Sequence, residues 1–176
     1  TTTTTTTVVN DEDSVQTEHN LQDPKWEWLP NKKIAMCHSL ISQEGEKCPV
    51  FCDSKYHAVH KDKVADTRTD VFQYPLIHST PKSGTRYKYA SYNNKGHFGV
   101  KKVIFGEGGI HDVVVDMEGE YGLTQGAIGI VVRDREEADH IRDALISAKF
   151  KGFLDSTRFG NYRIDWRLFT YLPRDF

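Results

Sequence analysis

The fold class is decided by residues 100–132, VKKVIFGEGGIHDVVVDMEGEYGLTQGAIGIVV. Short runs of β-branched and aromatic residues alternate here with glycine-rich turns, a pattern typical of strands in a mostly antiparallel sheet. The pair IHDVVVD and EYGLTQGAIGIVV flanks the turn residues Met117–Gly119, and we expect it to form a hairpin of two mostly buried strands. FGEGGI, before that pair, lacks the full G-x-G-x-x-G spacing of a cofactor loop, which favours a tight turn.

The segments upstream add further short strands. VFQYPLIHS, residues 71–79, predicts a strand that Pro75 places at a sheet edge, because proline cannot donate a ladder hydrogen bond. TRYKYASY, residues 85–92, alternates as a half-exposed strand does. KWEWLPNKKIAMCHSL, residues 25–40, favours one or two short strands or an aromatic anchor on the core. Residues 41–70 predict a polar loop with a short strand around Pro49 to Cys52.

One amphipathic helix is predicted over about residues 134–154. Asp134 is a suitable N-cap, and Glu137 three residues later completes a capping-box-like start. An apolar stripe then follows at Ile141, Leu145 and Ala148. The period of YRIDWRLFTYL fits a helix and a strand equally well. Together these segments predict an α+β fold, with a small, twisted, mostly antiparallel sheet and one amphipathic helix.

Composition divides the chain into three segments. Residues 1–24 begin with seven threonines and carry acids but neither Lys nor Arg, so we expect a disordered acidic arm. Residues 25–70 form an N-terminal extension with a polar loop that can bind zinc. Residues 71–176 hold the regular strand and helix patterns and form the third segment, a folded domain.

The cellular setting follows from what the sequence lacks. No run approaches the roughly 18 apolar residues that a membrane span needs, and the N-terminus has no basic-then-apolar signal pattern, so we expect a soluble protein. The three cysteines are an odd number, which favours a reducing, intracellular compartment over a disulfide-stapled fold.

The most uneven charge lies in residues 71–106, named here the basic strip. No Asp or Glu occurs there, although 25 acids among 176 residues would place about five in it. Phosphates attract lysine and arginine and repel carboxylates, so an acid-free strip suits contact with a DNA backbone. Aromatic and amide side chains between the cations can stack on bases or hydrogen-bond to them. The candidate DNA-binding residues are Lys82, Arg86, Lys88, Tyr89, Tyr92, Asn93, Asn94, Lys95, His97, Lys101 and Lys102. The alternative is a solvated basic hairpin whose aromatics pack on the core.

A resemblance supports the DNA-binding interpretation. The run HSTPKSGTRYKYASYNNKGHFGVKKVIFGEGGIHDVVVDMEGEYGLTQGAIGI, the helix EEADHIRDALISAKFKGFL and the closing FGNYRIDWRLFTYLPRDF carry it. Over residues 71–176 the chain resembles the target-recognition domains of adenine-specific DNA methyltransferases and fused restriction–modification enzymes, including versions carried by giant DNA viruses. Ile146 departs from the family pattern, which has asparagine before Ser147.

The resemblance implies that recognition and methylation lie in separate domains, and it implies a viral type of protein. In that family the recognition domain reads bases while a separate domain methylates, so this chain would bind double-stranded DNA and would be of viral type. The residues that the resemblance places toward DNA are Lys88, Asn93, Asn94, Lys95, His97, Lys101 and Lys102.

The catalytic motifs of a DNA methylase or a nuclease are missing or incomplete in the sequence. An adenine methylase needs an Asp/Asn-Pro-Pro-aromatic loop for the flipped base, and no Pro-Pro occurs. A Mg²⁺-dependent nuclease would draw on the carboxylates Asp112, Asp116, Glu118 and Glu120. Some of these sit where a turn needs polar residues, and no Glu-x-Lys follows on a strand.

A structural zinc ion is a further candidate. Thiolate and imidazole ligands a few residues apart can chelate Zn²⁺. The candidate ligands are Cys37, Cys48, Cys52 and either His57 or His60. The alternative is buried thiols with scattered surface histidines.

The sequence therefore leads to a non-catalytic, target-recognition-like DNA-binding module, acting free or beside a catalytic or assembly partner. Two alternatives remain: a structural or interaction protein, such as a viral assembly component on a borrowed recognition-domain fold, and a small Mg²⁺-dependent nuclease.

Overall fold

The computed structural model describes residues 5–8, 17–20, 33–41, 45–157 and 163–176. The fold is α+β. Its strands are β1 (Thr5–Val8), β2 (Thr17–Asn20), β3 (Val50–Phe51), β4 (Val64–Ala65), β5 (Tyr74–Ser79), β6 (Arg86–Ala90), β7 (Lys102–Gly106), β8 (Gly109–Asp116), β9 (Gly122–Leu123) and β10 (Ala127–Val131). The helices are α1 (Ile34–Ile41), α2 (Arg135–Ile146), α3 (Ala148–Thr157) and a 3₁₀ helix, Trp166–Tyr171. Within these ranges, every helix is too short or too polar to cross a membrane.

Two four-stranded sheets form the centre. The first has the order β3-β10-β7-β8 and is antiparallel; the second has the order β4-β6-β5-β9, with β5 and β9 parallel. The sheets meet where Ile77 and Leu123 of the second contact Ile104 and Ala127 of the first. Alternate residues of each strand point to opposite faces of the sheet. The helices pack on the face of the first sheet that points away from the second sheet.

The helical region consists of two helices, which corrects the prediction of a single one. Asp134 is the N-cap of α2, as predicted, and its carboxylate accepts the Glu137 N–H at 2.9 Å. Ser147 has extended backbone angles and ends α2. Its hydroxyl then accepts the Phe150 N–H at 3.0 Å in the first turn of α3. Serine favours helix caps over helix interiors. Ser147 therefore interrupts the helix although the apolar stripe continues past it.

The hairpin forms between different strands from those predicted. β8 pairs with β7 across the turn at residues 107–108, and β10 pairs with the other edge of β7. Gly109 has φ +150° and His111 lies over it, so a side chain there would be strained and crowded. The predicted turn at Met117–Gly119 instead leads to β9, which joins the second sheet. FGEGGI is a tight turn, as predicted.

Two further predictions are corrected nearer the N-terminus. β5 is an inner strand, and Pro75 is tolerated there because β9 pairs only with Leu76 and Ile77. One or two short strands or an aromatic anchor were predicted for residues 25–40, but residues 34–40 form most of α1, and residues 25–32 lie outside the described residues. In the predicted disordered arm, β1 and β2 pair with each other, while the rest of 1–24 lies outside the described residues.

The extension 25–70 contributes to both sheets. β3 lies in the predicted short strand and pairs with β10, and β4 pairs with the end of β6. The YRIDWRLFTYL segment, whose period left helix and strand open, contains the 3₁₀ helix. Its Leu168 and Phe169 are buried against the helices.

A carboxylate clamp joins α2 to residues 172–176. Glu137 is 9% exposed and accepts hydrogen bonds from the Arg174 guanidinium at 2.7 and 2.9 Å and from the Arg133 N–H at 2.7 Å. Arg174 also donates its backbone N–H to the Glu46 carbonyl. The Arg174 bonds, and then those of Arg133, lower the pKa of Glu137 to about 2.

We predict that the substitution Glu137→Gln makes stability less dependent on acid pH. The folded pKa of Glu137 is about 2 and its ordinary value 4.5, so its stabilisation is present above pH 4.5 and disappears as pH falls toward 2. The expected loss at pH 7 is about 3 kcal/mol, measured by urea unfolding from pH 7 to pH 2. The exposed neighbour Glu136→Gln is the control; an equal loss for both variants would contradict the clamp.

Candidate nucleic-acid interface

The structure sorts the eleven candidate DNA-binding side chains by burial. His97 and Lys102 are buried; Lys88, Tyr89 and Tyr92 are partly buried. The exposed ones are Lys82, Arg86, Asn93, Asn94, Lys95 and Lys101. The basic strip is acid-free along the sequence but not in space, because Asp53, Asp66 and Asp116 contact its basic side chains.

Lys102 is enclosed by hydrogen-bond acceptors. Its ammonium donates to the Asp116 carboxylate at 2.6 Å and to the carbonyls of His97 and Val100, each at 3.0 Å. Burial lowers the pKa of Lys102, and the bond to Asp116 opposes that shift. All three N–H groups of the ammonium are used, so Lys102 fixes the loop before β7 and cannot reach DNA. This corrects its assignment to a DNA-facing surface.

His97 is held in the same way between two partners. Its Nδ1 accepts the Leu123 N–H at 3.1 Å, so its Nε2 carries the proton that is donated to Asp53 at 3.2 Å. Burial is the largest influence on the pKa of His97 and lowers it, while Asp53 opposes the shift. With both nitrogens engaged and the ring buried, His97 is a structural residue, and its DNA-facing assignment is also corrected.

The partly buried candidates have partners inside the chain. The Lys88 ammonium pairs with Asp66, which lies outside the basic strip, and its side chain is 16% exposed. The Tyr92 hydroxyl donates to the Lys55 carbonyl at 2.7 Å, and its ring stacks on Tyr56 at 4.9 Å. These side chains hold loops against the second sheet, which matches the alternative of aromatics packed on the core.

The exposed cations form two groups along the chain. Lys82 lies in the turn before β6 and Arg86 is the first residue of β6, whereas Lys95 and Lys101 lie in the segment between β6 and β7. The Lys101 ammonium lies 3.4 Å from the Arg133 carbonyl.

Sequence reasoning missed two residues that join the first group. Lys151 of α3 and His111 of β8 line one cleft together with Lys82. Neither residue lies in the basic strip, and only the packing of α3 beside the β7–β8 turn brings them to Lys82. No local pattern in the sequence indicates that meeting.

The candidate metal ligands do not gather in the described part of the chain, where no group of three or more His, Cys, Asp or Glu side chains is placed to hold an ion. Burial raises the pKa of Cys37 and Cys52 to about 11 and that of Cys48 to about 12. The His57 and His60 rings lie 6.1 Å apart in the loop before β4. Structural zinc stays a prediction.

The candidate nuclease carboxylates also have other roles or positions. Asp116 accepts the N–H groups of Glu120 and Tyr121 in addition to Lys102. Asp112 lies four residues earlier on β8, where it accepts the Thr85 hydroxyl at 3.0 Å. The strand therefore holds these two carboxylates apart by roughly 14 Å at its rise per residue.

We predict that Lys102→Met destabilises the fold by about 3–5 kcal/mol, because it leaves Asp116 buried without its counter-charge. The adjacent exposed Lys101→Met is the matched control and should change the free energy of unfolding by less than about 0.5 kcal/mol. Chemical denaturation of both variants checks this. Similar small effects for the two lysines would show that the buried pair is not a constraint on the fold.

Comparison of the chain with protein-family models, with curated proteins and with solved structures finds no match in any of the three. The likeness of residues 71–176 to target-recognition domains therefore stays a prediction from the sequence.

Proposed function

We propose that this chain is a DNA-binding module that makes no chemical change to DNA itself and works free or beside a catalytic partner. The observation that carries the proposal is a set of four exposed cations of the basic strip without an ion-pair partner among the described residues: Lys82, Arg86, Lys95 and Lys101. A cation that has no carboxylate partner within the chain is available to pair with a phosphate.

Strand β6 spans roughly 14 Å from Arg86 to Ala90, which is close to the width of the major groove, about 12 Å. Among the described residues, no strand pairs with the outer edge of the first half of β6, since β4 pairs only with Tyr89 and Ala90. Strands can enter the major groove, and Tyr87, 42% exposed, lies on this half.

A second candidate is a protein-interaction surface. Large apolar side chains are exposed at Val59 and Val71, each 64% exposed, as well as at Tyr87. A partner protein would bury exposed apolar side chains of this kind and would not require the exposed cations.

Binding to a duplex at several salt concentrations tests the proposal. The variant K82A/R86A/K95A/K101A removes the four exposed cations of the basic strip. Each phosphate contact contributes about 0.9 to the slope of log K against log salt, so the variant should bind more weakly with a shallower slope.

The control variant K61A/K63A/R68A/K149A removes four exposed cations outside the strip, and so has the same net charge. It should retain both the affinity and the slope. Equal loss in the two variants would mean that net charge alone governs binding. No binding of the unaltered chain at low salt would refute the proposal and favour the protein-interaction surface.

A further inference from the structure

A cleft of about 430 Å³ opens between the turn before β6, the β7–β8 turn and α3. Two lysines and a histidine from three different elements line it: Lys82, Lys151 and His111. We propose that this cleft binds the phosphate group of a nucleotide-like ligand, whether a free phosphate ester or a phosphate of a nucleic acid.

The backbone positions of the three groups are fixed independently. Lys82 lies within a turn closed by the hydrogen bond from the Gly84 N–H to the Pro81 carbonyl, at 3.0 Å. Lys151 lies in α3. His111 lies on β8 with its ring over Gly109, so close that a Cβ atom on that glycine would come 3.0 Å from the ring Nε2. The folded backbone of these three segments therefore brings the three side chains to one cleft.

The charge balance favours an anion. Asp155 is the one carboxylate among the lining residues, against two ammonium groups. The nearby Glu107 carboxylate faces the Arg163 guanidinium at 3.5 Å. Neither lining lysine has an ion-pair partner within the described ranges, so both ammonium groups remain available to a ligand. Ammonium and imidazole N–H groups are donors, as phosphate oxygens require.

The size of the cleft and its apolar part indicate more than a bare ion. A volume of about 430 Å³ lies in the usual range of small-molecule sites. Ile110 and Leu154 supply apolar surface beside the cations, which suits a sugar or base attached to the phosphate. The ligand class is therefore a phosphate ester of nucleotide size, free or within a nucleic acid.

Amide-resolved NMR of the full chain tests the proposal at constant ionic strength. We expect a nucleoside 5′-monophosphate to shift the signals of Gly108, Gly109 and His111 in a saturable way, and the same nucleoside without phosphate to leave them unchanged. K82A and K151A should each weaken binding roughly tenfold, as the loss of one charged hydrogen bond does.

K149A is the matched control, since Lys149 is exposed on α3 but does not line the cleft. It should bind as the unaltered chain does. Equal weakening by K149A, equal binding of the nucleoside, or shifts that do not saturate would overturn the proposal. Inorganic phosphate as a second probe should give weaker shifts at the same residues, because it lacks the sugar and base.

A duplex added to the nucleotide-bound protein identifies the source of the phosphate. Displacement of the nucleotide means that the cleft takes a DNA phosphate; duplex binding without displacement means a free phosphate ester. This inference does not depend on the proposed function, since the cleft can bind a nucleotide in a protein that binds no duplex. The two failures are therefore distinguishable in one titration series.

Discussion

The buried ion pair between Lys102 and Asp116 is the constraint on which the two loops at one end of the sheets depend. Lys102 begins β7 and Asp116 ends β8, so the pair closes the open end of their hairpin. A buried ammonium is costly unless every N–H has an acceptor, and the carbonyls of His97 and Val100 supply the other two. The pair thereby orders the loop that precedes β7.

Asp116 extends the same constraint to the other sheet. Its oxygens accept the N–H groups of Glu120 and Tyr121, which direct the chain from β8 toward β9. Close packing adds to this, because a side chain at Gly119 would collide with the Gly99 and Val100 backbone. Removing one partner of a buried pair is far more costly than the pair is stabilising. We therefore expect the pair to act mainly by specifying one path for the chain.

The sequence predicted those features that depend on neighbouring residues. The Asp134 cap, the tight turn of FGEGGI and the β6 strand were predictable because their determinants lie within a few positions. The pairing partner of β8 was not predictable from the sequence. The hydrophobic runs before and after β8 suit pairing with either β7 or β10, and the choice depends on where β9 is held. The break at Ser147 was also missed, since the apolar stripe continues across it.

The charge of the candidate site was also hard to predict, because it depends on residues that are distant in the sequence. An acid-free window along a sequence describes a surface only if no acid from elsewhere folds against it, and here Asp53, Asp66 and Asp116 all do. Conversely, the cleft around Lys82 gains its second lysine from a helix 69 positions later in the chain. Buried cations of the strip order loops, whereas the exposed ones have no ion-pair partner in the part of the chain that the structure describes. Burial, and not position in the strip, therefore decides which cations can serve a phosphate.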